Sequence, residues 1–359
     1  MEEKVLSEEE KERLRKERRK RRKYRLLILL LLLLGTGTML ATSTYAWFTS
    51  NKNVSVNSIK VNIEAKNGIQ ISADGTNWKS IVQTTDLTSV HSTTYTSSVN
   101  QLPETLEPVS TAGIPGADGH LPMYYGTIVT SESVANDGEY ILTATKLTET
   151  EQNGPTADGK FIAFDLFFKV DATTNLYLVS GSGATTEDAT DNGIKNASRI
   201  GFVVLGNTAS GSSIETIQGL NSGASSTAYI WEPNYDVHTA AGVANARDVY
   251  GITTTEAGGS VLSYSGIVSE ITTANDVLLG KATATDYSSL FTDVTPNYTT
   301  VEGFSEYKQI FSLSAGITKV RIYMWVEGQD VDCENSASGG SITFDLKIST
   351  EDPNASVSP

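Results

Sequence analysis

Strict two-residue alternation of large apolar side chains constrains this chain more than any other feature. In "SITFDLKIS" (341–349), Ile342, Phe344, Leu346 and Ile348 fall on one side, and in "FIAFDLFFKV" (161–170), Ile162, Phe164, Leu166, Phe168 and Val170 do the same. A strand turns successive side chains to opposite faces, whereas a helix would scatter these residues around its circumference. "IKVNIEA" (59–65), "NLYLVS" (175–180), "RIGFVVL" (199–205), "AYIWEP" (228–233) and "KVRIYMWVEG" (319–328) read as further strands. Turn residues stand between them. "NG" at 67–68 leads into "IQISA" (69–73), and "DG" at 74–75 leads into "TNWKSI" (76–81), a third short strand after two tight turns. Helix is scarce, with a turn or two expected within 188–199.

Many short strands joined by polar connections predict an all-β fold, an antiparallel β-sandwich of jelly-roll-like kind, spanning 59–350. The long polar stretches 84–100, 180–192, 207–226 and 251–289 read as loops decorating it. A split into two domains near 206–226 is the alternative, and 351–359 forms a polar tail. The 359 residues are ample for either arrangement.

Charge is divided sharply along the chain. Residues 1–25 carry 12 Lys and Arg against 7 Glu, a net of +5, while the chain as a whole is at −15, so the remainder stands at −20. An acidic body is a poor partner for phosphate backbones, and a nucleic-acid function is not expected. The basic head precedes an apolar run at 26–34, the positive-inside arrangement, which places 1–25 in the cytoplasm. Extended to Phe48 the run would span about 34 Å as helix, enough to cross a bilayer. Its second half is rich in Gly, Ser and Thr, however, and a short leucine core followed by small residues is the pattern of a signal peptide. Residues 26–46 are therefore a signal peptide or a transmembrane helix. In the first case Ala46 is the small residue best placed for cleavage, freeing a chain that begins at Trp47.

The junction "TYAWFTSNKNVSVNSIKVNI" (44–63) resembles that of the TasA/camelysin family, exported proteins of Gram-positive bacteria processed by a SipW-type signal peptidase. Thr44, Tyr45, Ala46, Trp47 and Phe48 follow the family's order, and Ile59, Val61 and Ile63 follow its first strand. Ser50 and Asn51 stand where the family carries an Asp, and Ser58 where it carries a Gly. The likeness covers about twenty residues. It implies export, cleavage between Ala46 and Trp47, and a surface or matrix role of the fibre-forming kind. It also implies that the arm 47–58 acts as a donated strand, with Trp47, Phe48, Val54 and Val56 filling pockets of a neighbouring subunit. Pairing of that arm within its own domain is the equally weighted alternative. The segment "YMWVEGQDVDCEN" (323–335) resembles the closing segment of exported proteins that carry a "YAWF" leader.

Motifs that carry chemistry are few. "LPET" (102–105) has the letters of a sortase signal, but Leu106 follows instead of Gly and more than 250 residues remain, so a proline-bounded loop is expected. Glu327, Asp330, Asp332 and Glu334 form the densest acidic cluster. Alternating acids suit Ca²⁺, which takes six to eight oxygens, yet Asn335 and Ser341 occupy the positions where an EF-hand needs Gly and Glu. A polar loop between two core strands is the main reading, and an irregular Ca²⁺ site at Asp330, Asp332 and Glu334 the alternative; no other cofactor is expected. Trp231 and Glu232 are candidates for a glycan groove, or else a strand end whose Trp fills the core. The three histidines, His91, His120 and His238, sit in separate loop-like stretches without metal-ligand spacing. Cys333 is the one cysteine, so no disulfide forms within the chain.

These features together predict an exported, non-enzymatic structural protein of the cell surface or matrix. Its partners would be signal peptidase and then other copies or a related subunit. A membrane-anchored module for glycan or Ca²⁺, held through uncleaved 26–46, is the second expectation. A protease of the camelysin kind is the third.

Overall fold

The alternating stretches become the strands that organise the chain in the computed structural model, which describes residues 54–61, 68–129, 141–147, 155–156, 159–186, 193–234, 237–250, 252–256, 262–271, 289–298, 309–333 and 341–352. In chain order the elements are β1 (Val54–Val61), β2 (Gln70–Ser72), α1 (Thr84–Thr93), β3 (Leu102–Pro103), β4 (Thr105–Leu106), β5 (Met123–Val129) and β6 (Ile141–Leu147). There follow β7 (Pro155–Thr156), β8 (Ile162–Val170), β9 (Thr174–Leu178), β10 (Gly183–Thr185), β11 (Ser198–Thr208), α2 (Ile214–Gln218) and β12 (Thr227–Glu232). The last are α3 (Ala240–Tyr250), β13 (Tyr264–Ile267), β14 (Phe291–Val294), β15 (Asn297–Tyr298), β16 (Gln309–Leu313), β17 (Gly316–Val326), β18 (Ser341–Leu346) and β19 (Ile348–Ser349). Residues 1–53, with Ala46, Trp47 and Phe48 and the whole of 26–46, lie outside the described residues, as does Glu334.

The fold is all-β, a sandwich built mainly from antiparallel sheets. One sheet runs β15-β12-β11-β17-β8-β2 and a second β10-β18-β1-β4; a third, β16-β9-β19, carries the last strand among the described residues. Every residue of β17 is buried, so the strand is covered on both faces. On one face Val320, Ile322 and Met324 lie opposite Leu166, Phe164 and Ile162 of β8, and opposite Val204, Phe202 and Ile200 of β11. That face joins Ile342, Phe344 and Leu346 of the second sheet in the main core. On the other face Tyr323 and Trp325 pack with Ala163, Val203, Leu121, Met123 and Tyr264 in a second core, roofed by loops and by β5, β13 and β14. Burial of this apolar area on two faces is the chief stabilising term, at about 25 cal/mol per Å².

The strand pairing adds features that alternation alone does not specify. β1 lies parallel to β18, the second-last strand of the chain, from Ser55 opposite Ser341 to Val61 opposite Leu346, with a bulge between Val56 and Ser58. β12–β15 and β3–β7 are also parallel. The described residues make up one compact unit, with β11 and β12 in one sheet on either side of 209–226.

The two turn signals near the start of the body behave differently: β1 and β2, on either side of 67–68, lie in different sheets, whereas 74–75 close a tight turn. Ile71 and Lys79 exchange backbone hydrogen bonds at 2.9 and 2.8 Å around Asp74 and Gly75. The expected strand 76–81 is thus reduced to a single bridge at Lys79. Gly75 takes φ +72°, and a Cβ there would come within 2.8 Å of Ile217, so the turn needs glycine on both counts. Asp74 accepts from the Thr76 and Asn77 amides at 2.8 and 2.7 Å. Burial opposes its ionisation, but these bonds and those from Thr94 and the Asn77 side chain prevail and hold it at about 2.

All four stretches expected as loops carry a helix or strand: α1 in 84–100, β10 in 180–192, α2 in 207–226 and β13 in 251–289. Residues 84–93 form α1, whose Leu87 and Val90 are buried and whose Asp86 accepts from the Gln83 amide at 2.9 Å. The turn expected within 188–199 is seen over 194–197, with β11 beginning at Ser198. "LPET" is an interior feature. Leu102 and Leu106 are buried, and Thr105 pairs with Ser55 of β1.

Candidate functional site

The first network at the second core begins with charges that the sheet itself buries. Arg321 of β17 stands opposite Asp165 of β8 in the strand register. Its Nη1 donates to Asp165 Oδ1 at 2.9 Å and its Nη2 to the Val99 carbonyl at 2.6 Å. Lys319 Nζ lies 3.3 Å from Asp165 Oδ2 and donates to the Gln218 carbonyl at 2.7 Å. The Tyr95 hydroxyl donates to the same Oδ2 at 2.7 Å. Burial raises the Asp165 carboxyl, yet Lys319 and Arg321 overcome it and hold the group at about 2.

The second network joins two groups of residues that lie about a hundred positions apart. Arg199, at the start of β11 and opposite Trp325 in register, is wholly buried. Its Nη2 pairs with Asp330 and lies 3.3 Å from Glu232 Oε1, and its Nη1 donates to the Asn196 and Ser198 carbonyls at 3.2 and 3.0 Å. The guanidinium also sits 5.5 Å from the centre of the Tyr264 ring. Glu327 accepts from Trp325 Nε1 and from the Gln329 amide, each at 3.0 Å. Asp330 Oδ1 accepts from the Asp332 amide at 2.8 Å, closing a turn over 330–332.

Asp332 anchors a helix. Its Oδ1 accepts from the Thr239 amide at 2.7 Å and from the Thr239 hydroxyl at 3.0 Å, and that hydroxyl accepts from the Gly242 amide at 2.9 Å. A carboxylate here meets the unpaired N–H groups and the positive end of α3. Its Oδ2 lies 2.7 Å from His238 Nδ1. Gly242 is required by this packing, because a Cβ there would come within 2.2 Å of Asp332 Oδ1.

Burial sets the protonation of the cluster. Glu232, Glu327, Asp332, Arg199 and His238 are all at least 95% buried, and Asp330 is 6% exposed. Burial pushes Glu232 up to about 8 against the pull of Arg199, and pushes Glu327 up to about 7 against its hydrogen bonds. It also raises Asp332, with His238 opposing. Burial would lower His238, but the hydrogen bond and charge of Asp332 reverse this and raise it. Among the described residues Glu232 Oε2, His238 Nε2 and the Tyr264 hydroxyl have no hydrogen-bond partner.

The structure brings Asp330 and Asp332 together with Glu232 but not with Trp231, so it joins only part of the two groups that the sequence set apart as alternative ligand sites. Both acids are occupied by protein, Asp330 by Arg199 and Asp332 by His238 and Thr239. Among the described residues no group of three or more His, Cys, Asp or Glu is disposed to hold a metal ion. Trp231 fills the main core and Cys333 is a buried free thiol. His91 lies on α1 with Nδ1 3.0 Å from the Ser98 carbonyl. Val54 and Val56 lie on β1, hydrogen-bonded within their own chain.

Arg199 and His238 were missed as partners of the acids. A signal for Arg199 exists: a cation opening the apolar run "RIGFVVL" must find a counter-charge once that run is buried. Among the described residues no helix is long and apolar enough to cross a membrane. No family model, curated protein or solved structure matches the chain.

Proposed function

We propose that this is an exported, non-enzymatic structural protein of the cell surface or extracellular matrix, whose copies assemble by exchanging the N-terminal strand. The observation that carries the reading is the place of β1. It is the first strand among the described residues, yet it lies between β18 and β4, parallel to a strand from the far end of the sequence. Its departure would open a slot lined by the backbone of β18 over Ser341–Leu346 and floored by the core around Ile342, Phe344 and Leu346. The same segment of a second copy would fit that slot with identical hydrogen bonds. Exchange of an identical element then costs little beyond association itself. Backbone bonds supply affinity and alternate side chains supply selectivity. The leader-like junction at Thr44 to Phe48 supports the same reading, since cleavage after Ala46 would leave β1 seven residues from a free N-terminus.

The test uses the chain beginning at Trp47 and a form lacking 47–61. The longer chain is expected to form fibres by electron microscopy. The shorter one should stay monomeric and bind a synthetic peptide of residues 54–61. Fibres from the truncated form, or no binding of the peptide, would count against strand exchange. The N-terminus and intact mass of protein from cells and from medium separate a chain starting at Trp47 from one still held by 26–46.

A further inference from the structure

Four carboxyls share the second network with one guanidinium and one imidazole, all shielded from water. With every group ionised, Glu232, Glu327, Asp330 and Asp332 bring four negative charges against those of Arg199 and His238. An uncompensated pair of buried charges is not tolerated in a low-dielectric interior. Two bound protons restore neutrality. The contacts indicate where they reside. Asp330 and Asp332 each have one oxygen on a basic side chain, Arg199 or His238, and the other on a backbone amide, and so serve as anions. Glu232 has one contact, at 3.3 Å, to Oε1, and its Oε2 has none among the described residues. Glu327 faces neutral donors, the Trp325 indole and the Gln329 amide. Arg199 already fills the position that a metal cation would take between Glu232 and Asp330.

We propose that residues 327–333 form a proton-held clasp: in the closed state Glu232 and Glu327 each retain a proton, and loss of these protons releases the segment from β11, β12 and the start of α3. The charged and titratable groups facing Glu232 are Arg199 on β11, His238 before α3, Tyr264 on β13, and Glu327, Asp330 and Asp332 on the segment itself. The raised carboxyls of Glu232 and Glu327 agree with this assignment. Because the segment stands in the chain between β17 and β18, release slackens the covalent link between the two main sheets. The clasp does not depend on strand exchange, and its test does not involve fibres.

Hydrogen–deuterium exchange of the full chain, corrected for the intrinsic pH dependence of amide exchange, reads the clasp directly. Protection over 327–333 and 237–250 is expected to be greatest near pH 4 to 5, to fall by up to about tenfold per pH unit for each proton released as pH rises toward 7 to 8, and to level off above pH 8. Protection in β8, β11 and β17 should not follow it. Glu232→Gln, which keeps the shape and removes the titration, is expected to flatten that dependence. A protection profile that does not change with pH, or one that changes equally in Glu232→Gln, overturns the proposal. So does restoration of high-pH protection by added Ca²⁺, which would make the compensating charge a metal. If the variant does not fold, infrared difference spectra of the unaltered protein decide: a protonated buried carboxyl at pH 7 supports the clasp and its absence refutes it.

Discussion

Replacing Asp165 by Asn removes one charge from the buried network on β8 and β17 while keeping its shape. The cost follows from what is left behind. Arg321, whose Nη1 lies 2.9 Å from Asp165, and Lys319, at 3.3 Å, would both remain buried with no carboxylate between them. Breaking a buried ion pair by removing one partner typically costs about 3–5 kcal/mol, because the remaining charge is uncompensated. Lys319 retains the Gln218 carbonyl and Arg321 the Val99 carbonyl, which favours the lower half of that range. The pH dependence supplies an independent figure. The carboxyl is held at about 2 in the fold against 3.8 for the free group, and that displacement corresponds to about 2 kcal/mol. Its folded value is depressed, so the contribution is present above pH 4 and is lost as pH falls toward 2. Urea denaturation of the unaltered protein and of Asp165→Asn at pH 7, 5, 3 and 2 measures both. The two forms share every other titration, so their difference isolates Asp165. It should be about 3–4 kcal/mol at pH 7 and shrink by about 2 kcal/mol on approaching pH 2. A difference under about 1 kcal/mol at pH 7, or one that does not shrink with acid, would refute the account of this network.

Other expectations concern the clasp and the main core. Gly242→Ala should cost about 1–3 kcal/mol and lower the amide protection of α3 first, since its Cβ would displace the Asp332 carboxylate; unchanged protection there would contradict the cap. Phe344→Ala should cost about 3–5 kcal/mol in a denaturant titration, because the ring is wholly buried where the two main sheets meet. Stability should be greatest near pH 5. Glu232 and Glu327 have raised folded values, about 8 and 7, so their contribution is complete below about pH 4 and is lost as pH rises through 7 to 8. Asp74 and Asp165 lose theirs below about pH 4, and a thermal midpoint that climbs steadily from pH 5 to pH 9 would be inconsistent with the cluster as described.

Period-two alternation made β8, β11, β12, β17 and β18 legible, since strongly apolar strands admit no other periodicity. It could not give their order, nor the parallel placement of β1, because pairing depends on contacts hundreds of residues apart. α1 was hidden for another reason. "TTDLTSVHST" is rich in Ser, Thr and Val, which favour other conformations, and the helix stands through the burial of Leu87 and Val90 and the Asp86 cap. The acids of the second network were visible as a cluster and Glu232 as a single residue. Their partners were not, because alternation places Arg199 and Trp325 on one face without saying that Glu232 and His238 fold in beside them. Gly242 illustrates the same limit: only the approach of Asp332, from ninety residues later, gives that glycine a reason.

The parallel pair β1–β18 also imposes a schedule on the chain. β1 is complete at Val61 and its partner begins at Ser341, 280 residues later. At about 5–20 residues per second of synthesis, roughly 15 to 60 s pass before that partner exists. Throughout this interval the first strand has made its own sequence available while the edge it will occupy has not yet been made. In a finished copy β1 already fills that place, so only a copy whose own first strand has left it could capture the waiting one.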